Sequence, residues 1–223
     1  MSRSLEYIFP AGNEQDICLL QDTDGGGDNL KLNGFLVNAT GAEVSFIERG
    51  YSRTVSLTSV NNLAGVQFFV RGIQNGVELE EVISGPNDNS VYTVQSFDKI
   101  TSIFVGPVVR GISVGTGIDG FFPLIEIDLE RPMINYGLSI ALLSTSTIQT
   151  AIYASLNDIN ENGVTYLDTV NNSNMLELKA LSTEGIYLLP PEDIGIYKSL
   201  LIGISYFAGT DIDHAIRMNF IQI

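Results

Sequence analysis

The stretch SRTVSLTSVNNLAGVQFFVRGIQNGVELEEVISGPNDNSVYTVQSFDKITSIFVGPVVRGISVGT, residues 52–116, decides the fold class. Its residues alternate with a period of two, which puts Val66, Phe68 and Val70 on one face of a strand and Gln67, Phe69 and Arg71 on the other. Asn75-Gly76 follows, and Asn-Gly between alternating segments is a strong hairpin signal. The alternation slips at Glu80-Glu81, where we predict a β-bulge. The stretch therefore predicts consecutive antiparallel strands without a helix.

Short strands are predicted in the rest of the chain as well. Apolar runs at 7–9, 17–20, 35–37 and 44–47 precede the quoted stretch, and alternating segments at 125–130, 134–142 and 215–223 follow it. Strands this short, separated by turns, indicate a sandwich or a barrel. Only Met175–Leu181 and Ile194–Leu200 are also compatible with a helix. We predict an all-β protein of two β-sandwich or jelly-roll-like domains with little helix, residues 1–116 including an N-terminal arm and residues 117–223.

Composition excludes some partners. The 223 residues include 11 Lys and Arg against 26 Asp and Glu, a net charge of −15. Such a surface repels phosphate backbones, which argues against nucleic acid as a partner. Only 17% of residues are charged, against the usual quarter, and this suits a surface that contacts other proteins.

Compartment and membrane association follow from the same inspection. The first residues lack the basic and apolar regions of a secretory signal, and no apolar run is long enough for a membrane-spanning helix. The single Cys18 cannot form a disulfide within the chain. We expect synthesis in the cytoplasm and no membrane partner.

The one motif that resembles a cofactor site is Gly115-Thr116-Gly117-Ile118-Asp119-Gly120. This G-x-G-x-x-G spacing binds a dinucleotide only where a helix begins at the glycines, because the helix N-terminus holds the pyrophosphate. Here Phe121-Phe122-Pro123 and an alternating segment follow. We therefore interpret 115–120 as a turn between domains and predict no cofactor.

Two acidic segments resemble metal sites. Asp22, Asp24 and Asp28 lie on a Gly-rich loop whose carboxylates suit Ca²⁺, but the Glu and the helix of an EF-hand are missing, so a solvated turn is favoured. His214, the only histidine, follows Asp211 and Asp213, and one His with two Asp is a weak metal set. We predict no catalytic and no metal residues, and leave open whether the Asp22–Asp28 loop binds a cation.

A resemblance to structural proteins of tailed bacteriophages covers about 65 residues. It rests on a set of short motifs: Leu57-Thr58-Ser59, Asn62-Leu63-Ala64-Gly65-Val66, Gly85-Pro86-Asn87, Phe97, Ile100-Thr101-Ser102-Ile103 and Ile112-Ser113-Val114-Gly115-Thr116. The C-terminal residues His214-Ala215-Ile216-Arg217 and Asn219–Gln222 are similar to the ends of such chains. The family is not catalytic, so the resemblance implies a virion component and transfers no active-site residue.

These observations give a specific expectation of function. We predict a non-enzymatic virion protein, made in the host cytoplasm, that decorates the capsid as a cement protein. Its expected partners are further copies of itself, with a trimer favoured, and other virion proteins such as the major capsid protein. The residues up to about Leu20 would act as an arm on an adjacent subunit, because their short apolar runs are separated by Pro10 and Gly12.

Three alternatives stay open on the sequence. The chain could be a head–tail connector or tail component. A carbohydrate-binding or receptor-binding β-sandwich module is an alternative from another functional class. Carbohydrate-binding sites often use Trp side chains to stack against the sugar, and this chain has no Trp. A β-sandwich hydrolase with paired carboxylates is also allowed, because 26 Asp and Glu give many pairs that a cleft would bring together.

Overall fold

A computed structural model describes residues 3–10, 12–38, 40, 43–49 and 51–121, followed by the strand segments 125–126, 136–142, 148–155, 175–181, 186–188, 199–206 and 216–222. The strands, numbered in chain order, are β1 Arg3–Phe9, β2 Cys18–Gln21, β3 Asp28–Asn29, β4 Val44–Ser45, β5 Ser52–Asn62, β6 Gln67–Gln74, β7 Val77–Ser84, β8 Asn87–Tyr92, β9 Lys99–Val105, β10 Ile112–Phe121, β11 Ile125–Glu126, β12 Tyr136–Leu142, β13 Ile148–Ser155, β14 Met175–Leu181, β15 Ile186–Leu188, β16 Ser199–Tyr206 and β17 Ile216–Gln222. One 3₁₀ turn, Ile47–Arg49, is the helical element of the described residues. The all-β prediction is confirmed.

The chain divides into two compact units, residues 12–118 and residues 1–11 with 119–223. The sequence prediction placed residues 1–116 together and the boundary two residues earlier. The first eleven residues belong with the C-terminal half because β1 pairs antiparallel with β17, from Arg3 opposite Gln222 to Phe9 opposite Ile216. Arg3–Phe9 therefore form a strand within their own chain, which is a different placement from the predicted arm on an adjacent subunit.

The unit of residues 12–118 contains two sheets. One has the strand order β2-β10-β5-β8, and the other has the order β3-β9-β6-β7 with β4 also paired to β9. Inward-facing apolar side chains of both sheets are fully buried, among them Val55, Leu57, Phe68, Val70, Ile103, Val105, Ile112 and Val114. Alternate residues of antiparallel strands point to opposite faces, so the apolar faces of the two sheets pack together as a sandwich. The other face of β5 is buried too, at Ser52, Thr54 and Ser56.

The unit formed by residues 1–11 and 119–223 is described by its strand pairings. Its strands have the orders β1-β17-β12-β15 and β14-β13-β16, and β11 pairs with β16. Gly120 and Phe121, the last residues of β10, lie opposite Ile204 and Gly203 of β16. Met175–Leu181, for which the sequence left strand and helix open, is strand β14, and most of Ile194–Leu200 lies outside the described residues.

The hairpin predicted at Asn75-Gly76 is confirmed, and the β-bulge predicted at Glu80-Glu81 is wrong. Asn75 and Gly76 both have positive φ, 49° and 76°, as a type I′ turn requires. The β6–β7 register then runs without a shift from Gln74 opposite Val77 to Gln67 opposite Ser84. The alternation of apolar and polar residues is interrupted because Glu81 lies on the inward side. Its carboxylate accepts hydrogen bonds there from the N–H groups of Val94 and Gln95 at 2.7 and 2.8 Å.

One further local prediction differs from the structure. Residues 35–37 are not a strand; the N–H groups of Phe35 and Leu36 donate instead to the carbonyls of Gln15 and Asp16. Gly85 and Pro86 connect β7 to β8, which begins at Asn87. The described residues include no helix long and apolar enough to cross a bilayer.

Candidate functional site

The glycine motif at residues 115–120 lies within strand β10 rather than in a turn. Its glycines have a packing role: a Cβ on Gly115 would overlap the carbonyl oxygen of Asn13, and a Cβ on Gly117 would overlap Oγ1 of Thr54. Glycine in a strand interior often marks such a close approach of another chain segment. The prediction of a turn is therefore wrong, because the alternating glycines keep the strand in contact with its neighbours. The boundary between the two units, after residue 118, does fall within the motif.

A buried polar network surrounds this part of β10. The Asp16 carboxylate accepts a 2.7 Å hydrogen bond from Oγ1 of Thr116, whose N–H donates to the carbonyl of Asn13. Arg53 is 1% exposed; its Nε donates to the carbonyl of Gly117 at 2.7 Å, and its guanidinium lies 6.0 Å from the centre of the Tyr51 ring. Burial raises the pKa of Asp16, and the Thr116 hydrogen bond and the Arg53 charge oppose that shift. The network fixes residues 13–16 against β10, which is a structural role.

The three aspartates of the Gly-rich loop have separate partners. Asp22 accepts a hydrogen bond from the N–H of Gly111 at 2.8 Å, Asp24 lies 3.6 Å from Nζ of Lys31, and Asp28 accepts from the N–H of Asn29 at 2.8 Å. Within the described part of the chain, no three His, Cys, Asp or Glu side chains are grouped to hold a metal ion. The loop therefore does not bring its carboxylates together.

The remaining candidate residues from the sequence are the His214 segment and Cys18. His214, Asp211 and Asp213 lie outside the described residues. Cys18 is fully buried in β2, and burial raises the pKa of its thiol to about 12. A thiol with this pKa remains protonated at neutral pH and is a poor nucleophile.

The outer face of the β9-β6-β7 sheet carries an apolar patch that the alternation alone did not reveal. Phe69 on β6 lies opposite Phe104 on β9 and Val82 on β7, and the two rings are 5.8 Å apart between centroids at 59°. Val82 is 48% exposed, and both rings are half-buried. Outward positions of a sandwich are usually polar, so the grouping of two rings and a valine here is unusual. We call these three residues the aromatic face.

Charged residues border the aromatic face on one side. Arg71 forms an ion pair with Glu80 across the β6–β7 ladder, with Nε 2.5 Å from the carboxylate, and its guanidinium lies 6.0 Å from the centre of the Phe104 ring. Both side chains are partly exposed, so the pair adds little to stability. Its effect is to hold a cation over the edge of the aromatic face.

A groove of about 430 Å³ adjoins the other side of the aromatic face, since Phe69 lines both. Gln67, Ser84, Pro107 and the loop residues 64–66 also line it. Two of the phage-like motifs meet beside this groove: the N–H of Leu63 donates to the carbonyl of Pro86 at 2.7 Å, and the N–H of Gly85 donates to the carbonyl of Val66 at 2.8 Å. The sequence signal that could have located this face was Phe69 at an outward strand position, paired with a second outward Phe on β9.

Comparisons with known proteins add little to this description. No family model matches the chain, and no curated protein matches it. Among solved structures, the major capsid protein P2 from bacteriophage PM2 is similar at 9% identity and a TM-score of 0.22, covering 100% of this chain and 97% of that chain. A TM-score of this size does not demonstrate a shared fold.

Proposed function

We propose that the chain is a non-enzymatic structural protein of a bacteriophage virion that decorates the capsid as a homo-oligomer, with a trimer favoured. The observation that carries the proposal is the meeting of two phage-like motifs, residues 62–66 and 85–87, beside an outward groove. Two segments separated in the sequence by residues 67–84 thus build one surface feature. The capsid location and the major capsid protein as partner come from the resemblance.

The physical properties of the outer surface support the same proposal. A grouped aromatic face with few charges suits burial against another protein, because interface cores favour aromatic residues and exclude charge. The net charge of −15 disfavours contact with nucleic acid, in keeping with a position on the outside of a particle. A head–tail connector or tail component is the alternative within the same class.

The test combines solution mass with sedimentation on particles. The purified chain is expected to form a trimer by light scattering and to pellet with phage capsids that lack it. Phe69→Gln is expected to weaken pelleting at least tenfold, since aromatic anchors dominate interfaces. Phe35→Gln, which changes a Phe that is 68% exposed elsewhere, serves as the matched control. A monomer that fails to pellet would overturn the proposal.

A carbohydrate-binding or receptor-binding module is the second candidate. It is favoured by the groove, where the ring of Phe69 stands beside the polar side chains of Gln67 and Ser84. Sugar-binding sites combine such a ring with hydrogen-bonding groups. This function is favoured over a virion role if the chain is a monomer that binds glycans on an array and its Phe69→Gln variant does not bind them.

A further inference from the structure

Strand β7 is a long and regular sheet edge. It pairs with β6 over all eight residues without a register shift, and no strand of the described residues lies on its other side. Natural edge strands are usually protected by a short length, a bulge, Pro or charged side chains. β7 is neither short nor bulged and has no Pro, so its protection is the charge of Glu78, Glu80 and Glu81. The neighbouring edge β8 differs, because Asp88 has a φ of 53° and its ladder with β5 shifts register.

The hairpin geometry shows which backbone groups of β7 face outward. In a two-residue type I′ hairpin, the residues flanking the turn exchange both hydrogen bonds, and the ladder then alternates. Gln74 and Val77 flank this turn. The N–H and C=O groups of Glu78, Glu80 and Val82 therefore point away from β6 and are available to a further strand.

The side chains of these three residues determine which strand fits. They lie opposite Ile73, Arg71 and Phe69 of β6, on the same face as the aromatic face. A second copy pairing through its own β7 would place glutamates against glutamates, and like charges directly opposite destabilise a ladder. Lys or Arg opposite Glu78, with an apolar residue opposite Val82, instead gives favourable pairs. A second cation opposite Glu80 would share that carboxylate with Arg71.

We propose that β7 binds an extended basic segment of a different protein by strand addition. This deepens the proposed function and rests on it, because the segment belongs to a virion protein that the decoration protein contacts. The added strand would supply backbone hydrogen bonds to residues 78, 80 and 82 and extend the apolar contact of Val82. The bound segment would thus continue the sheet beside the aromatic face.

The experiment uses synthetic peptides as the probe. The peptide Thr-Lys-Thr-Lys-Thr-Val-Thr and its reverse cover parallel and antiparallel addition, and versions with Glu in place of Lys are the controls. Bound Lys peptide is expected to slow amide hydrogen exchange at Glu78, Glu80 and Val82, with no change at Leu79 and Glu81. Unchanged exchange at the first three amides with peptide at millimolar concentration would overturn the proposal.

Charge variants separate strand addition from general attraction to an acidic protein. Glu78→Lys is expected to weaken binding of the Lys peptide about tenfold, because one attraction becomes a repulsion. Glu48→Lys makes the same charge change at an exposed residue of the 3₁₀ turn and is expected to leave the affinity unchanged. Equal weakening by both variants, equal binding of the Glu peptide, or self-association of the chain that protects the same three amides would each contradict the proposal.

The inference and the proposed function fail in different ways. A wild-type chain that pellets with capsids but leaves the amides of β7 unprotected by peptide contradicts the basic-segment proposal alone. A wild-type chain that binds the Lys peptide at β7 but does not pellet with capsids contradicts the virion role alone.

Discussion

Asp98 provides the sharpest stability prediction in the chain. Its carboxylate is buried at the end of the β6–β7 hairpin, where Oδ2 accepts a 2.5 Å hydrogen bond from the N–H of Asn75 and Oδ1 has no hydrogen-bond partner. Neither side-chain amide atom of the neighbouring Gln74 has a partner either. Burial raises the pKa of Asp98 from 3.8 to about 6, and the Asn75 hydrogen bond only partly opposes this.

The direction in which stability changes with pH follows from proton binding by the folded and unfolded states. The folded state binds the Asp98 proton more tightly than the unfolded state, so this contribution to stability is fully present below pH 3.8 and is lost as the pH rises through about 6. The full loss is about 3 kcal/mol, from about two pKa units at 1.36 kcal/mol each. About half of it falls between pH 5 and pH 8, roughly 1–2 kcal/mol.

Asp98→Asn removes this titration while keeping an acceptor for the N–H of Asn75. Between pH 5 and pH 8 the free energy of unfolding of the variant is expected to rise by about 1–2 kcal/mol relative to that of the wild type, in urea titrations followed by circular dichroism. Measurements begin at pH 5 because the sequence pI is about 4.2. Asp88→Asn, an exposed position with positive φ that Asn tolerates, is the control. Parallel pH profiles of Asp98→Asn and the wild type would refute the reasoning.

Three further outcomes are expected. Gly115→Ala should destabilise the chain by about 2 kcal/mol or more in urea because its Cβ has no room, whereas Gly106→Ala, with open space around it, should change stability by under 1 kcal/mol. Glu81→Ala should cost about 2 kcal/mol by removing the acceptor of two backbone N–H groups, with the exposed Glu48→Ala as control; equal effects of the two would contradict this role. Cys18 should react with a thiol reagent only after denaturation. If Cys18 of the folded protein reacts as fast as an exposed thiol, the side chain is not buried.

The fold class was readable from the sequence because local signals and tertiary structure agree there. The Asn75-Gly76 turn and the alternation of Phe68 and Val70 with outward residues each follow from backbone geometry over a few residues. The predicted bulge was wrong because a carboxylate can occupy an inward position when backbone N–H groups hold it, as Val94 and Gln95 hold Glu81. That contact joins residues thirteen and fourteen positions apart, which alternation cannot anticipate.

The candidate surface was less predictable than the fold. The glycines of the 115–120 motif seemed to mark a turn because glycine is a turn residue, whereas their actual cause is contact with Asn13 and Thr54, at positions far away in the sequence. The aromatic face depends on the register between β6 and β9, which places Phe104 opposite Phe69. The register between two strands is a tertiary property. Alternation therefore predicts which face of its strand each Phe occupies, but not that Phe69 and Phe104 lie opposite each other.

The capsid location can be observed by electron cryo-microscopy of phage particles that contain the chain. Density for a β-sandwich matching residues 12–118 is expected on the outer surface of the capsid, repeated with the trimeric symmetry of a decoration protein. Particles from the same preparation with no such density on the capsid, or with it confined to the tail, would contradict a capsid decoration role.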